Sequence, residues 1–250
     1  MIVAAEIAPH GTPALDPGPT RDALEEVRGR FEQAAPDAIV VVTPHNVHVD
    51  RHFAVVTAAK VAGSLAQWEH PEITMEREVD RGLADALLAE LEPSVGVSYG
   101  GNDPAEAVMP LDWGALIPLA FLPELPVAIV SPARDLGLEA HVRAGEAIAR
   151  VPGRIGLVAS ADHGHAHDPD GPYGFDPAAA EYDQRVVELV RANRLEGLME
   201  LEDLAGRGKA DSLWQMVVLH GALGDGWRAE LLSYEAPAYF GMLVALFERA

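Results

Sequence analysis

Short, wholly apolar runs alternate along this chain with longer stretches in which apolar residues recur every three or four positions. The runs Ile2 to Ile7, Ala38 to Thr43, Phe53 to Ala58, Val95 to Tyr99, Val127 to Ser131, Ile155 to Ser160 and Arg228 to Tyr234 are short, many of them rich in β-branched residues, and predict strands. Most are apolar at consecutive positions, as expected of a sheet covered on both faces. Leu24, Val27 and Phe31 share one helical face behind Thr20 as an N-cap, and Pro36 closes that helix. Val79, Leu83, Leu87 and Leu91 mark a helix over Met75 to Glu92. Asp176-Pro177 reads as an N-cap and first-turn proline before a helix with Val186, Leu189 and Val190 inward, and Asp211 to Gly221 predicts a further helix.

This alternation predicts an α/β fold: a single-domain sandwich with a mixed, largely parallel central sheet covered by helices. Some antiparallel pairing is expected, because Val47 to Ala58 follows the second strand too closely for a helical crossover. At 250 residues and 49% hydrophobic, the chain can bury one substantial core, and residues 1–250 read as one domain. Two irregular stretches, Gly100 to Gly114 and Asp162 to Asp176, are rich in Gly, Asp, His and aromatics and fit the walls of a site at the carboxyl ends of strands.

Charge and composition narrow the function. With 39 acidic against 18 basic residues, a net charge of -21 repels nucleic acid and anionic membranes. The absence of cysteine removes disulfides, thiolate ligands and cysteine nucleophiles, so any metal must use nitrogen and oxygen. The first apolar run is short, lacks a basic leader and is interrupted by Glu6 and Pro9, which fits a buried strand rather than a signal peptide; a cytoplasmic protein is expected.

Two strands end on the same dipeptide, Pro9-His10 and Pro44-His45. Histidines at equivalent ends of adjacent strands converge on one point, as a mononuclear metal site requires. Glu235, at the end of the last predicted strand, supplies a candidate third ligand. Two imidazoles and a carboxylate on one face of a metal leave the opposite positions open, the arrangement of non-haem Fe(II) oxygenases; the same donor types also describe catalytic zinc. The loop His163-Gly-His165-Ala-His167 offers a base titrating near neutral pH.

Taken in order, Ala8-Pro9-His10-Gly11, Thr43-Pro44-His45, Leu111-Asp112-Trp113-Gly114 through Pro118-Leu119, Ala159 to His165, and Ser233-Tyr234-Glu235 resemble the class III extradiol ring-cleavage dioxygenases, the protocatechuate 4,5-dioxygenase catalytic-subunit type. The resemblance implies that His10, His45 and Glu235 hold Fe(II), with Zn or Mn as substitutes. It implies His165 as the acid/base, with His163 and His167 competing for that role, and a catechol or aminophenol opened with O2. Trp113 stands where the family usually carries tyrosine or histidine, and His163 where it commonly carries an apolar residue. Both, with Tyr173 and Tyr239, are candidates for lining the substrate pocket. His48 and His52 are expected to be structural or outer-wall residues. The family also includes homo-oligomers, chains paired with another subunit, and non-enzymatic members that keep the fold.

Overall fold

A computed structural model describes residues 1–99, 103 and 105–250. The first strand, β1 (Ile2–Ala8), is followed by α1 (Pro19–Ala34), β2 (Ala38–Val42), β3 (Phe53–Val56), β4 (Lys60–Leu65), β5 (His70–Glu78), α2 (Arg81–Glu90), β6 (Ser94–Val97) and β7 (Val108–Pro110). Then come α3 (Trp113–Ala120), β8 (Val127–Ser131), α4 (Leu138–Arg150), β9 (Ile155–Ser160), α5 (Ala178–Arg191), α6 (Glu202–Gly208), α7 (Leu213–Leu223), β10 (Trp227–Glu235) and β11 (Met242–Arg249).

Eight strands form one sheet in the order β10-β11-β1-β9-β2-β8-β3-β6, and β5-β4-β7 form a smaller one. The centre is parallel, β1 with β9, β9 with β2 and β2 with β8. Every residue of β2, β8 and β9 is buried, which requires cover on both faces and explains their unbroken apolar runs. Helix α1 packs on β1, β10 and β11, while α7 packs on β1 and β9 and against α4. The expected antiparallel pairing occurs between β3 and β8, with β8 lying between β2 and β3. Among the described residues no helix is long and apolar enough to cross a membrane.

Several elements differ from expectation. Met75 to Glu92 is not one helix: its first part ends β5, whose burial alternates as a strand's does, and α2 begins only at Arg81, capped by Asp80. Val79, Leu83 and Leu87 thus keep a helical spacing across a strand-to-helix junction. Gly100 to Gly114 is not irregular throughout, since it contains β7 and opens α3; Gly100, Gly101, Asn102 and Pro104 lie outside the described residues. Thr20 does not cap α1, which follows Gly18; its hydroxyl instead reaches Glu235. The largest difference is β11, an unexpected strand inserted between β10 and β1.

One charged group lies inside the core. Glu6 sits in β1 between Leu246 of β11 and Val158 of β9, 1% exposed and with both carboxylate oxygens unpartnered. Burial pushes its pKa up to about 8. The folded chain therefore holds this carboxyl neutral while the unfolded chain ionises it, so its contribution is fully present below the unfolded pKa and is lost as pH rises towards 8. Glu6→Gln, neutral throughout, is expected to gain about 3 kcal/mol relative to the native chain between pH 5 and pH 8. Denaturant titrations at the two pH values check this, and parallel changes in the two proteins would refute it.

Candidate metal centre

The site forms where β1, β2 and β9 end. His10 follows β1 and His45 follows β2, strands that flank β9, which Ser160 ends, rather than lying adjacent as expected; parallel pairing puts all three at the carboxyl end of the sheet. The two imidazoles meet with Nε2 atoms 2.9 Å apart and rings nearly perpendicular at 89°. Asp211, in the connection from α6 to α7, completes the cluster: its Oδ2 lies 3.4 Å from His10 Nε2 and 3.2 Å from His45 Nε2. Asp162 adds a second carboxylate, with Oδ2 3.5 Å from His10 Nε2 and Oδ1 accepting from the His10 backbone N–H at 2.9 Å.

Hydrogen bonding fixes which His10 nitrogen faces the cluster. The Ser160 hydroxyl donates to the Gly114 carbonyl, so its oxygen accepts from His10 Nδ1–H at 2.9 Å. Neutral His10 therefore carries its proton on Nδ1 and presents the Nε2 lone pair, as a metal-ligating histidine does. His45 is held by its neighbours: the Trp113 ring stacks on it at 4.3 Å and 27°. Asp112 anchors Trp113's helix, accepting from Ala115 N–H at 3.0 Å and from the Thr43 hydroxyl at 2.7 Å. Gly114 is required at this crowded start of α3, since a Cβ there would lie 2.5 Å from Thr43 Oγ1 and 3.0 Å from His45 Cδ2.

The electrostatics favour a cation. Burial alone would depress the His10 pKa, but Asp162 and Asp211 outweigh it and raise the value to about 9. Burial likewise opposes ionisation of Asp211, yet His10 and His45 hold its carboxyl well below the usual carboxylate range. Asp211 Oδ1 is buried without a hydrogen-bond partner. Two inward nitrogens, an ionised carboxylate and an orphaned oxygen fit a divalent ion with a mixed nitrogen and oxygen shell, so His10, His45 and Asp211 are the residues placed to hold one.

Glu235 is not part of this cluster. It ends β10 at the same edge of the sheet as His10, but β11 intervenes, and two strand spacings put it about 10 Å away. Its Oε1 accepts from the Thr20 backbone N–H at 3.2 Å and from the Thr20 hydroxyl, so it caps the first turn of α1. The third position beside the two histidines, expected for Glu235, is occupied by Asp211. Asp211 was legible only as the start of a helix, a position where aspartate is common for capping, and that reading concealed it.

A cavity of about 820 Å³ opens over His10, His45 and Asp211. Trp113 lines one wall, with Trp68 from the β4–β5 connection edge-on to it at 5.4 Å. His165 lines another wall, stacked on Phe240 at 5.4 Å with the Tyr173 edge at 5.8 Å. His165 Nδ1–H donates to the His163 carbonyl at 2.7 Å, which leaves Nε2 as its free nitrogen. Tyr239 also lines the cavity, and so does His48, as expected of an outer-wall residue. His163, expected at the pocket, is instead fully buried beneath it, and burial lowers its pKa. His167 turns away to Asp183, with Nε2 2.8 Å from Oδ2, which leaves His165 as the loop histidine lining the cavity. His52 hydrogen-bonds the Asp50 carbonyl outside the cavity.

Residues 7–245 match the family described as the catalytic LigB subunit of aromatic ring-opening dioxygenase. A protein of Clostridium acetobutylicum, "Protein CA_C1420", is 24% identical over 229 residues, covering 86% of this chain and 49% of its own length; the chain thus spans about half of that relative. The crystal structure of the uncharacterized protein JW3007 from Escherichia coli K12 superposes with a TM-score of 0.64 at 18% identity, covering 98% of this chain and 99% of that one, a likeness of fold.

Proposed function

Since the chain belongs to the family of catalytic LigB subunits of aromatic ring-opening dioxygenases, we propose that it is an Fe(II)-dependent extradiol dioxygenase that opens a catechol-type or aminophenol ring with O2. The observation that carries this reading is the convergence of His10, His45 and Asp211 at the floor of an aromatic-walled cavity, with the free nitrogen of His165 on another wall.

Fe(II) in a shell of two imidazoles and one carboxylate supplies the redox link between an aromatic diol and O2. The protein's residues supply the rest. Trp113, Tyr173, Tyr239 and Phe240 give the cavity flat apolar surfaces that take an aromatic ring and exclude water around it. His165 Nε2 takes one phenolic proton as the diol binds and returns it as the ring opens, a role open to an imidazole nitrogen that can both accept and donate a proton. Asp162 holds the His10 backbone by two main-chain N–H groups, His10 at 2.9 Å and Gly11 at 3.3 Å, and keeps the first ligand in place.

The reading is tested by loading the protein with Fe(II) without oxygen, adding a panel of catechols and aminophenols, and recording O2 uptake with the absorbance of a ring-opened product. Turnover with Fe(II) and none with Zn(II) is expected. An iron-loaded protein inert across the panel contradicts the reading, and hydrolytic activity with zinc points to the zinc hydrolase that the same donors allow.

A further inference from the structure

The loop that carries His165 is fastened from behind by a buried carboxylate that takes no part in the cluster above. Asp183, on α5, is fully buried. Its Oδ1 accepts the Gly164 backbone N–H at 2.7 Å, and its Oδ2 accepts from His167 Nε2 and from the Tyr234 hydroxyl, each at 2.8 Å. The residue before His165 and the residue two after it are thus tied to one side chain. Gly241 presses on the same group, where a Cβ would overlap Asp183 Oδ2, and its N–H donates to the Gly164 carbonyl at 3.1 Å.

We propose that Asp183, with His167 and Tyr234 as its partners, is a positioning residue that sets where His165 stands in the cavity. The inference rests on the reading of His165 as the acid/base. His165 itself is bound to the loop and to α6 by two contacts, Nδ1–H to the His163 carbonyl at 2.7 Å and its backbone N–H to the Gly208 carbonyl at 2.7 Å. Main-chain pairing also holds the loop on both sides, the His163 N–H to the Gly241 carbonyl at 2.8 Å and the His167 N–H to the Tyr239 carbonyl at 3.2 Å, but it leaves side-chain placement to other groups. Asp183 adds a side-chain tie on both sides: its two oxygens receive the Gly164 N–H, the His167 Nε2–H and the Tyr234 hydroxyl. The alternation of the loop follows from this. His163 packs inward near Tyr182, His165 faces the cavity, and His167 returns to Asp183. An acid/base must stand within hydrogen-bond reach of the proton it moves, so a loosened loop lowers turnover without removing the metal ligands.

The test compares His167→Ala, His167→Gln and Asp183→Asn with the native protein. The glutamine amide keeps an N–H donor to Asp183, whereas alanine does not. His167→Ala and Asp183→Asn are expected to lower kcat about tenfold or more, with KM and iron content within about twofold. His167→Gln is expected to recover most of that loss. Amide hydrogen exchange supplies a readout independent of turnover: Gly164 and His165 exchange at least about tenfold faster in His167→Ala and near the native rate in His167→Gln. Should Asp183→Asn fail to fold, the two His167 variants decide the matter. Native exchange in His167→Ala, or a His167→Gln protein as impaired as His167→Ala, would overturn the inference. A native protein without O2 uptake defeats the proposed function alone, and the exchange comparison still tests the anchor.

Discussion

Asp211→Ala is expected to lower the affinity for Fe(II) by more than about 100-fold and to abolish ring opening, since loss of even an outer-shell partner of a ligand costs about 10- to 100-fold. The substitution removes the only carboxylate within 3.4 Å of both His10 Nε2 and His45 Nε2 among the described residues. It also removes the charge that, with Asp162, lifts the His10 pKa, so the cluster loses attraction for any cation. Glu235→Ala is the matched control. It deletes the acceptor for the Thr20 N–H and hydroxyl, and it is expected to cost about 1–2 kcal/mol of stability, the scale of a lost helix cap, while leaving metal binding intact. Calorimetric Fe(II) titration and denaturant melts of both variants separate the two roles. Equal metal loss in both proteins would contradict the assignment.

The second large effect is at His165. Replacement by alanine is expected to reduce kcat by about 10²- to 10⁴-fold, the range for removal of a general acid/base. Iron content should remain native, because His165 belongs to another wall and not to the His10, His45 and Asp211 set. The His165 Nδ1–H is committed to the His163 carbonyl, which leaves Nε2 free, and the ring lines the cavity beside Phe240 and Tyr173. His163→Ala is expected to act on stability instead, through the space it vacates in the core. Steady-state kinetics with iron analysis on both variants tests the distinction, and a His165→Ala protein with native kcat refutes the role.

Much of the fold was legible because the central strands are buried on both faces. Ile39 to Val42, Val127 to Val130 and Ile155 to Ala159 are continuous apolar runs for that reason, and the parallel order brings their ends together. His10 and His45 were legible with them, as polar residues at the carboxyl ends of such runs. Asp211 was not, because it lies between two helices and reaches the histidines only through the packing of α7 on β1 and β9. Glu235 misled for a related reason. Its strand does end at the correct edge, and its displacement depends on β11, a strand whose pairing with both β10 and β1 no local pattern announces. β5 was misread because Val79 bridges two elements with a spacing that imitates one helix.

If the His10, His45 and Asp211 centre opens the ring, both atoms of O2 enter the ring-opened product. Single turnover of the Fe(II)-loaded protein with a catechol under 18O2, read by mass spectrometry, measures this. A ring-opened product carrying both labelled oxygens is expected from the native protein and from Glu235→Ala, and none from Asp211→Ala. A labelled product in undiminished yield from Asp211→Ala, or no labelled product from the iron-loaded native protein with any catechol or aminophenol, would contradict ring opening at this centre.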